Sequence, residues 1–343
     1  MIGVYDAVNN LLNGVDFSAL YKGFHKYSFA LYNRQEIIID GKAVPYQEGF
    51  RGNTSIFYEG EHIAIWNMEL DPVDDPEYLA YYLVHEMFHC HQRTNGETRY
   101  PSDLALLNYP DDVENFTSKY NENRYLADAY ITRDIMQLRK FAYIREKRHC
   151  RYPSMVYQEM KAETIEGMAE FIGLKALETI NREKYNAIID DYLDKLKAES
   201  DLLFDVRRIS YFSGAILFLC LDSFGFSVNN DFGSKKTVYE QNPIDIAGII
   251  AEVYPCDFVQ TKIEASAKEK EAKIKAHIQR SKYIEYGATI YGYDPMNMFR
   301  VGDLIYCSYF VCLEQNGEVC DLNSAVVLKL ADGSVGTVLG YYI

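Results

Sequence analysis

A single capped helix is predicted for residues 75–96, which read DPEYLAYYLVHEMFHCHQRTNG. Asp75 is a favoured N-cap residue, Pro76 fits the first helical position, and the acid Glu77 opposes the positive end of the helix dipole. The pair Asn95-Gly96 is typical of a helix end. The centre of the stretch is therefore expected to lie well inside a regular helix.

The centre of this helix carries His85-Glu86-Met87-Phe88-His89, which matches the pattern H-E-x-x-H. Residues i and i+4 share one face of a helix, so the imidazoles of His85 and His89 can bind one metal ion. Glu86 lies beside that face, within reach of a water molecule on the ion. The pattern predicts a zinc site with Glu86 as the general base. The alternative is a pair of ordinary histidines on a core or surface helix.

The region before this helix is predicted to be rich in β-strand. Its runs are dominated by β-branched and aromatic residues, and Glu59-Gly60-Glu61 joins the last two runs as a hairpin. The H-E-x-x-H helix therefore follows a β-hairpin. The predicted strands are residues 27–32, 36–40, 54–58 and 62–66.

The region after this helix is predicted to be mostly helical as far as residue 284, and the rest of the chain returns to strand-like patterns. Asn316-Gly317 and Asp332-Gly333 are typical hairpin turns between β-rich runs. The predicted helices are Val113–Lys147, Ser154–Asn181, Lys184–Ala198, Leu202–Phe224 and Asp257–Ile284.

The order of these segments is β, then α, then β, which favours the α+β class over an alternating α/β fold. The 343 residues suit one large enzyme domain or two closely packed ones. We expect a β-rich N-terminal lobe at residues 1–74, a helical metal-binding region at 75–285 and a small β-rich region at 286–343.

The composition is that of a globular protein, because apolar residues make up 48% of the chain and can fill a sizeable core. The net charge of −15 gives no electrostatic footprint for nucleic acid. No apolar run approaches the roughly 18 residues of a membrane span, and the N-terminus lacks the features of a secretory signal. Seven scattered cysteines without a Cys-x-x-Cys pair fit reduced thiols, so we expect a cytoplasmic protein.

A third metal ligand is expected from residues 163–171, which read ETIEGMAEF. A catalytic zinc usually takes three protein ligands and leaves one position for water. Glu163, Glu166 and Glu170 follow one another at i, i+3 and i+7, so their carboxylates line one face of the predicted helix. The alternative is a solvated acidic stripe, but apolar flanking residues indicate a buried helix. Gly167 and Ala169 would allow a neighbouring helix to approach closely.

With these residues the sequence resembles the gluzincins, zinc metallopeptidases whose third ligand is a glutamate on a second helix. In their aminopeptidase group that glutamate precedes a glycine, as Glu166 does here. In thermolysin-like members an acid four residues later orients a ligand histidine, which is the position of Glu170. The resemblance implies a zincin-like catalytic core that holds Zn²⁺, with Glu166 as ligand and Glu170 behind a ligand histidine. Glu163 is the reserve candidate for the ligand.

A second resemblance concerns Tyr211-Phe212-Ser213-Gly214, which is similar to the Tyr-x-x-Gly helix of the aminopeptidase group. There the tyrosine hydroxyl donates to the oxyanion that develops in the transition state. The resemblance implies this catalytic role for Tyr211. The alternative is a tyrosine that only packs near a helix start.

These residues together predict hydrolysis of peptide bonds in a peptide or protein substrate. The hairpin is expected to offer its strand at His62–Trp66 as an edge that holds an extended peptide. Neither nucleic acid nor a membrane is expected as a partner. Two alternatives stay open: another zinc hydrolase, such as an amidase or an epoxide hydrolase, and a non-catalytic binding or regulatory protein on a degenerate peptidase fold. Glu86 argues against the second, because a structural site needs no general base.

Overall fold

The structure is a computed structural model that describes residues 1–109, 111–228, 230–294, 297–334 and 336–343. Helix accounts for 51% and strand for 19%, with a β-rich part at each end and a helical middle, which confirms the predicted α+β class. Within these described ranges, no helix combines the length and apolar character that a membrane span requires.

The helices vary widely in length. They are α1 (Ile2–Asn13), α2 (Phe17–Leu20), α3 (Pro76–Thr94), α4 (Asp103–Leu106), α5 (Val113–Thr132), α6 (Ile135–Arg151), α7 (Pro153–Ala162), α8 (Met168–Ile180), α9 (Arg182–Lys197), α10 (Val206–Ser223), α11 (Val238–Gln241) and α12 (Asp257–Arg280). A π-helix at Glu163–Gly167 joins α7 to α8, and a 3-10 helix at Asp201–Phe204 precedes α10. Helix α1 has no counterpart among the predicted helices.

The strands fall into two groups along the chain. They are β1 (Phe29–Tyr32), β2 (Glu36–Ile39), β3 (Lys42–Pro45), β4 (Thr54–Tyr58), β5 (Glu61–Asn67), β6 (Tyr283–Tyr293), β7 (Met298–Val301), β8 (Leu304–Cys307), β9 (Val311–Gln315), β10 (Glu318–Leu322), β11 (Val326–Leu330) and β12 (Thr337–Tyr342). Strand β3 was not among the predicted strands, whereas β1, β2, β4 and β5 match the predicted ones to within a few residues.

The chain divides into two compact units, and each unit is built from three separate segments of the sequence. The first unit comprises Met1–Tyr100, Glu122–Tyr143 and Glu159–Ala251, and the second comprises Pro101–Asn121, Ile144–Gln158 and Glu252–Ile343. The first unit contains β1 to β5 and α3, and the second contains β6 to β12. The residues proposed from the sequence for the metal site all belong to the first unit.

The sheet of the first unit has the strand order β3-β2-β1-β5-β4. Strands β1 and β5 run parallel to each other, and the other neighbouring strands are antiparallel. The hairpin of β4 and β5 forms as predicted, with Glu59 and Gly60 at positive φ in its turn. The prediction that His62–Trp66 is an edge was wrong, because β5 pairs with β1 on one side and β4 on the other. The edge of this hairpin is β4.

Helix α3 forms with the predicted caps. The Asp75 carboxylate accepts hydrogen bonds from the backbone N–H groups of Glu77, at 2.9 Å, and Tyr78, at 3.4 Å. Gly96 has a φ of +76° directly after the helix end, a conformation that glycine adopts without strain. The helix packs against β5 and α8, so its H-E-x-x-H residues lie between the sheet and a second helix.

Two glycines bring α10 into contact with the π-helix. A Cβ atom on Gly167 would lie 2.6 Å from the Cα of Gly214, and one on Gly214 would lie 2.8 Å from the Cα of Gly167. Side-chain carbons do not approach backbone atoms so closely, so both positions require glycine. The close approach of a neighbouring helix expected at Gly167 is therefore confirmed.

Four of the predicted helices differ from the structure: the π-helix interrupts Ser154–Asn181, and Leu202–Phe224 begins as the 3-10 helix before α10. The predicted helix Val113–Lys147 is two helices, because Arg133 adopts a φ of +54° between α5 and α6. The Asp134 carboxylate then accepts from the N–H of Met136 at 2.8 Å and caps α6. The last predicted helix ends at Arg280 rather than residue 284, and β6 begins at Tyr283.

The sheet of the second unit has the strand order β10-β9-β6-β12-β11-β8-β7, and its neighbouring strands are antiparallel. Its core side chains include Ile305, Leu313 and Leu328, none of which has measurable exposure. The predicted turn Asn316-Gly317 joins β9 to β10 with positive φ at both residues, the conformation that a tight two-residue hairpin requires.

Candidate metal centre

The two histidines of the motif meet on one face of α3. Their Nε2 atoms are 3.1 Å apart, and their side chains are only 9% and 13% exposed for His85 and His89. The i, i+4 spacing on a regular helix produces this arrangement, as the sequence predicted. Two nitrogen atoms are therefore directed at one buried point.

Glu166 brings a carboxylate to the same point from the π-helix. Its Oε2 atom lies 3.1 Å from His89 Nε2 and 3.6 Å from His85 Nε2. The three candidate ligand atoms lie within 4.8 Å of one another. This cluster of His85, His89 and Glu166 could hold a metal ion.

The π-helix separates the three predicted carboxylates. A π-turn contains an extra residue, so the side chains that follow it are rotated relative to those of a continuous α-helix. Glu163 accepts a hydrogen bond from the Ser213 hydroxyl at 2.6 Å, whereas Glu166 and Glu170 contact the histidines. The expectation that all three carboxylates line one face of an α-helix was therefore wrong for Glu163.

The second nitrogen of each histidine has its own partner. His85 Nδ1 lies 2.7 Å from Glu170 Oε2, and His89 Nδ1 lies 2.7 Å from Gln92 Oε1. The Gln92 amide nitrogen donates to the Ile165 carbonyl at 3.0 Å, which fixes its Oε1 atom as the acceptor. With both Nδ1 atoms acting as donors, the Nε2 lone pairs are left to bind an ion.

Gln92 and Tyr192 are site residues that the sequence reasoning missed. Gln92 follows His89 by three residues on the same helix face, a spacing that was available in the sequence. The Tyr192 hydroxyl donates to Glu170 Oε1 and lies 2.8 Å from the Tyr81 hydroxyl. Tyr192 is on α9, so only the tertiary structure reveals its contact with Glu170.

Charge in the cluster favours a cation at the point where its three side chains meet. Burial alone would raise the pKa of Glu166, but the charge and hydrogen bonds of His89 and His85 hold it well below its ordinary range. Burial lowers the pKa of His89, yet the Glu166 carboxylate more than compensates and raises it to about 9. Arg207 Nη2, another contact not predicted, lies 3.3 Å from Glu166 Oε1.

Glu86 lines the cleft beside the cluster and is 8% exposed. Burial raises the pKa of its carboxyl group, and the charges on His85 and His89 oppose that rise. A carboxylate with a raised pKa next to a metal-binding cluster is suited to accept and return a proton near neutral pH.

Tyr211 lies against the same cluster, from the first turns of α10. Its ring is parallel to the His85 ring, with 5.9 Å between the centroids and 5° between the planes. Burial raises its pKa well above the ordinary value, and the neighbouring Glu166 carboxylate raises it further. Its hydroxyl therefore keeps its proton and can act as a hydrogen-bond donor.

A cleft of about 360 Å³ opens beside these residues, entirely within the first unit. The hydrogen-bonded pair of Glu170 and Tyr192 lines this cleft. Asn53, the residue directly before the edge strand β4, lies at its lining. The residues that line it further include His85, Glu86, Tyr211, Trp66, Tyr81, Tyr82, Ile188, Asp191, Lys195 and Phe212.

Comparison with known proteins gives no family assignment: no protein-family model, curated protein or solved structure matches the chain. The resemblance to the gluzincins therefore depends on the motif residues and their arrangement alone.

Proposed function

We propose that the chain is a zinc-dependent hydrolase that cleaves peptide bonds. The observation that carries this proposal is the meeting of His85, His89 and Glu166 at one buried point, with Glu86 beside them in an open cleft. Two imidazole nitrogens and one carboxylate oxygen are the donor set of many catalytic zinc sites. The hydrogen bonds at both Nδ1 atoms fit this role, because they leave both Nε2 atoms ready to bind an ion.

Zinc bound by these three side chains would polarise a carbonyl group and lower the pKa of water towards about 7. Glu86 then takes a proton from the attacking water and delivers it to the nitrogen of the leaving amine. The Tyr211 hydroxyl donates to the oxygen that becomes negative as the carbonyl carbon turns tetrahedral. Of the side chains used in these steps, His85, Glu86 and Tyr211 line the cleft.

A peptide is the substrate favoured by the surroundings of the cluster. Strand β4 is an edge of its sheet, so its outer backbone groups are available to an extended chain. Asn53 connects this edge to the cleft lining. A peptide paired with β4 would run beside the cluster, and the retained Glu86 favours catalysis over simple binding.

The Glu86→Gln variant tests this proposal, because it removes the proton carrier and keeps the size of the side chain. We expect the wild-type protein to bind one zinc per chain and to cleave members of an unbiased peptide library. The variant should keep its zinc and its circular dichroism spectrum while the rate of cleavage falls by at least about 100-fold.

Two control variants and two contradicting outcomes complete the experiment. His85→Ala and His89→Ala should lose zinc together with activity, which shows that the metal and the cleavage belong to this chain. A wild-type protein that holds zinc but cleaves no peptide would contradict the peptidase proposal. If the Glu86→Gln variant cleaves peptides within about tenfold of the wild-type rate, Glu86 is not the general base.

A further inference from the structure

The cleft beside the metal centre has walls made largely of aromatic rings. Trp66 and Tyr82 are nearly parallel, with 5.0 Å between their centroids and 15° between their planes. Tyr192 and Phe212 meet edge to face at 4.5 Å. The half-buried Ile188 adds an aliphatic side chain. We call these five residues the aromatic slot.

Several polar groups around the aromatic slot already have partners. The Trp66 indole nitrogen donates to the Asp71 carbonyl at 2.9 Å, so its ring offers only apolar surface to a ligand. Lys195 Nζ lies 2.5 Å from Asp191 Oδ2 and 4.7 Å from the Phe212 ring centroid. Lys195 and Asp191 carry opposite charges, so the pair adds no net charge to the cleft wall.

The slot shares its cavity with one candidate ligand, His85, and with Glu86. His85 and Glu86 line the same cleft as Trp66, Tyr82 and Phe212. Its volume of about 360 Å³ lies at the small end of the roughly 300–1,000 Å³ usual for ligand pockets. The space therefore suits one bulky side chain next to the scissile bond rather than a long segment of substrate.

Charge decides which bulky side chain fits. The carboxylates of Glu86 and Glu170 line the cleft, so an acidic side chain would meet like charge. A planar ring can pack against the rings that line the slot, and such ring pairs are favourable beyond the burial of apolar area. A basic side chain would be attracted by these carboxylates but would lose its hydration against the rings of the slot.

We infer that the aromatic slot binds an aromatic side chain of the substrate, next to the bond that is cleaved. This inference rests on the proposed function, because it names the substrate residue that the same site selects. Burial of a phenyl group should tighten binding by about 10- to 100-fold relative to a ligand without a side chain.

The test uses the zinc-loaded full chain and three small probes: the hydroxamates of phenylalanine, glycine and aspartate. The hydroxamate group binds the metal in each probe, so only the side chain differs. Trp66 is the single tryptophan of the chain and lines the cleft, so its fluorescence reports binding without any need for catalysis. We expect phenylalanine hydroxamate to bind about 10- to 100-fold more tightly than glycine hydroxamate, and aspartate hydroxamate most weakly.

Two neighbouring variants on α9 provide a matched comparison. Ile188→Glu adds a charge inside the slot, whereas Ala187→Glu adds the same charge at an exposed position outside it. Ile188→Glu should remove most of the preference for phenylalanine and leave the affinity for glycine hydroxamate within about threefold, which also proves that the metal site is intact. Ala187→Glu should retain the full preference. Phe212→Ala, at a second position, should reduce the preference in the same way.

The possible results separate the two proposals. If none of the probes binds to the zinc-treated wild type, the metal site fails, and the inference fails with it. If glycine hydroxamate binds as tightly as phenylalanine hydroxamate, the aromatic slot is refuted while the metal site stands. A preference for aspartate, or a preference for phenylalanine that survives Ile188→Glu and Phe212→Ala, also overturns the inference.

Discussion

Each histidine of the cluster depends on a hydrogen bond made by its other ring nitrogen. Glu170 holds His85 Nδ1 and Gln92 holds His89 Nδ1, both at 2.7 Å. Burial raises the pKa of Glu170 to about 7, and the hydrogen bond from Tyr192 acts against that rise. Tyr192 therefore helps to keep Glu170 ionised, so that Glu170 accepts a hydrogen bond from His85 Nδ1–H. That hydrogen bond leaves His85 Nε2 free to bind an ion.

Replacing Tyr192 by Phe tests this dependence at the residue scale. The change removes one hydroxyl and leaves the ring that packs in the cleft wall. We expect zinc affinity to fall by about threefold to tenfold, less than the roughly 10- to 100-fold usual when a group that contacts a ligand directly is removed. Competition with a chromophoric chelator measures the affinity.

Tyr185→Phe is the matched control for this variant. Tyr185 lies on the same helix α9, is equally buried at 6% exposure, and has its hydroxyl 3.2 Å from the Tyr130 hydroxyl. That hydroxyl is engaged with Tyr130 rather than with Glu170 or the histidines, so its loss should leave zinc affinity unchanged. Equal affinities for the two variants would refute a role for Tyr192 in holding the site.

The site residues that sequence reasoning found are those whose positions follow from local spacing. His85, Glu86 and His89 lie within five residues of one regular helix, so their mutual arrangement is set before the chain folds further. The partners Tyr192 and Arg207 contact the site through the packing of α9 and α10, which no local pattern encodes. The separation of Glu163 from Glu166 requires a π-turn, and the sequence reasoning assumed a continuous α-helix.

At the scale of elements, the site depends on how closely α10 packs against the π-helix. Gly167 directly follows the candidate ligand Glu166, and Gly214 directly follows Ser213, the partner of Glu163. Backbone contact between these glycines places Tyr211 near His85 and holds the π-turn in position. A side chain at either glycine would push the two elements apart.

Gly167→Ala should therefore destabilise the fold, by about 1–3 kcal/mol or more, because its Cβ would overlap the backbone of Gly214. Zinc affinity should also fall, since the neighbouring Glu166 would be displaced. Urea-induced unfolding measures the first effect and chelator competition the second.

Gly3→Ala is the control for this substitution. Gly3 also lies within a helix, α1, but nothing lies within 4 Å of the position that its Cβ would take. The change from glycine to alanine should therefore stabilise α1 by up to about 1 kcal/mol. A Gly167→Ala protein as stable as Gly3→Ala would contradict the close contact between the π-helix and α10.

Element boundaries were predictable where the chain carries its own start and stop signals. Asp75, Pro76 and Gly96 mark both ends of α3, and the structure reproduces them. The break at Arg133 contains neither proline nor glycine, and its one local signal is the N-cap residue Asp134, which by itself does not end the preceding helix. The interior position of β5 comes from its parallel pairing with β1, a contact between distant parts of the chain.

At the scale of the whole molecule, the net charge of −15 creates a field that acts on any charged substrate before it binds. The cleft itself adds the carboxylates of Glu86 and Glu170. Long-range attraction of this kind speeds the association of positively charged ligands, and salt screens it within about 10 Å at 0.1 M ionic strength. The charge of residues outside the aromatic slot should therefore influence cleavage through the rate of encounter.

Three fluorogenic peptides with one cleaved core would measure this effect, with flanks of three lysines, three glutamines or three glutamates. We expect kcat/KM for the lysine peptide to fall several-fold between about 10 and 300 mM NaCl, because screening removes the attraction. The glutamine peptide should change by less than about twofold, and kcat/KM for the glutamate peptide should rise with salt. Since all three share the core that enters the slot, any difference in salt dependence comes from the flanks. If kcat/KM shows the same salt dependence for all three peptides, the net charge of the protein has no part in substrate capture.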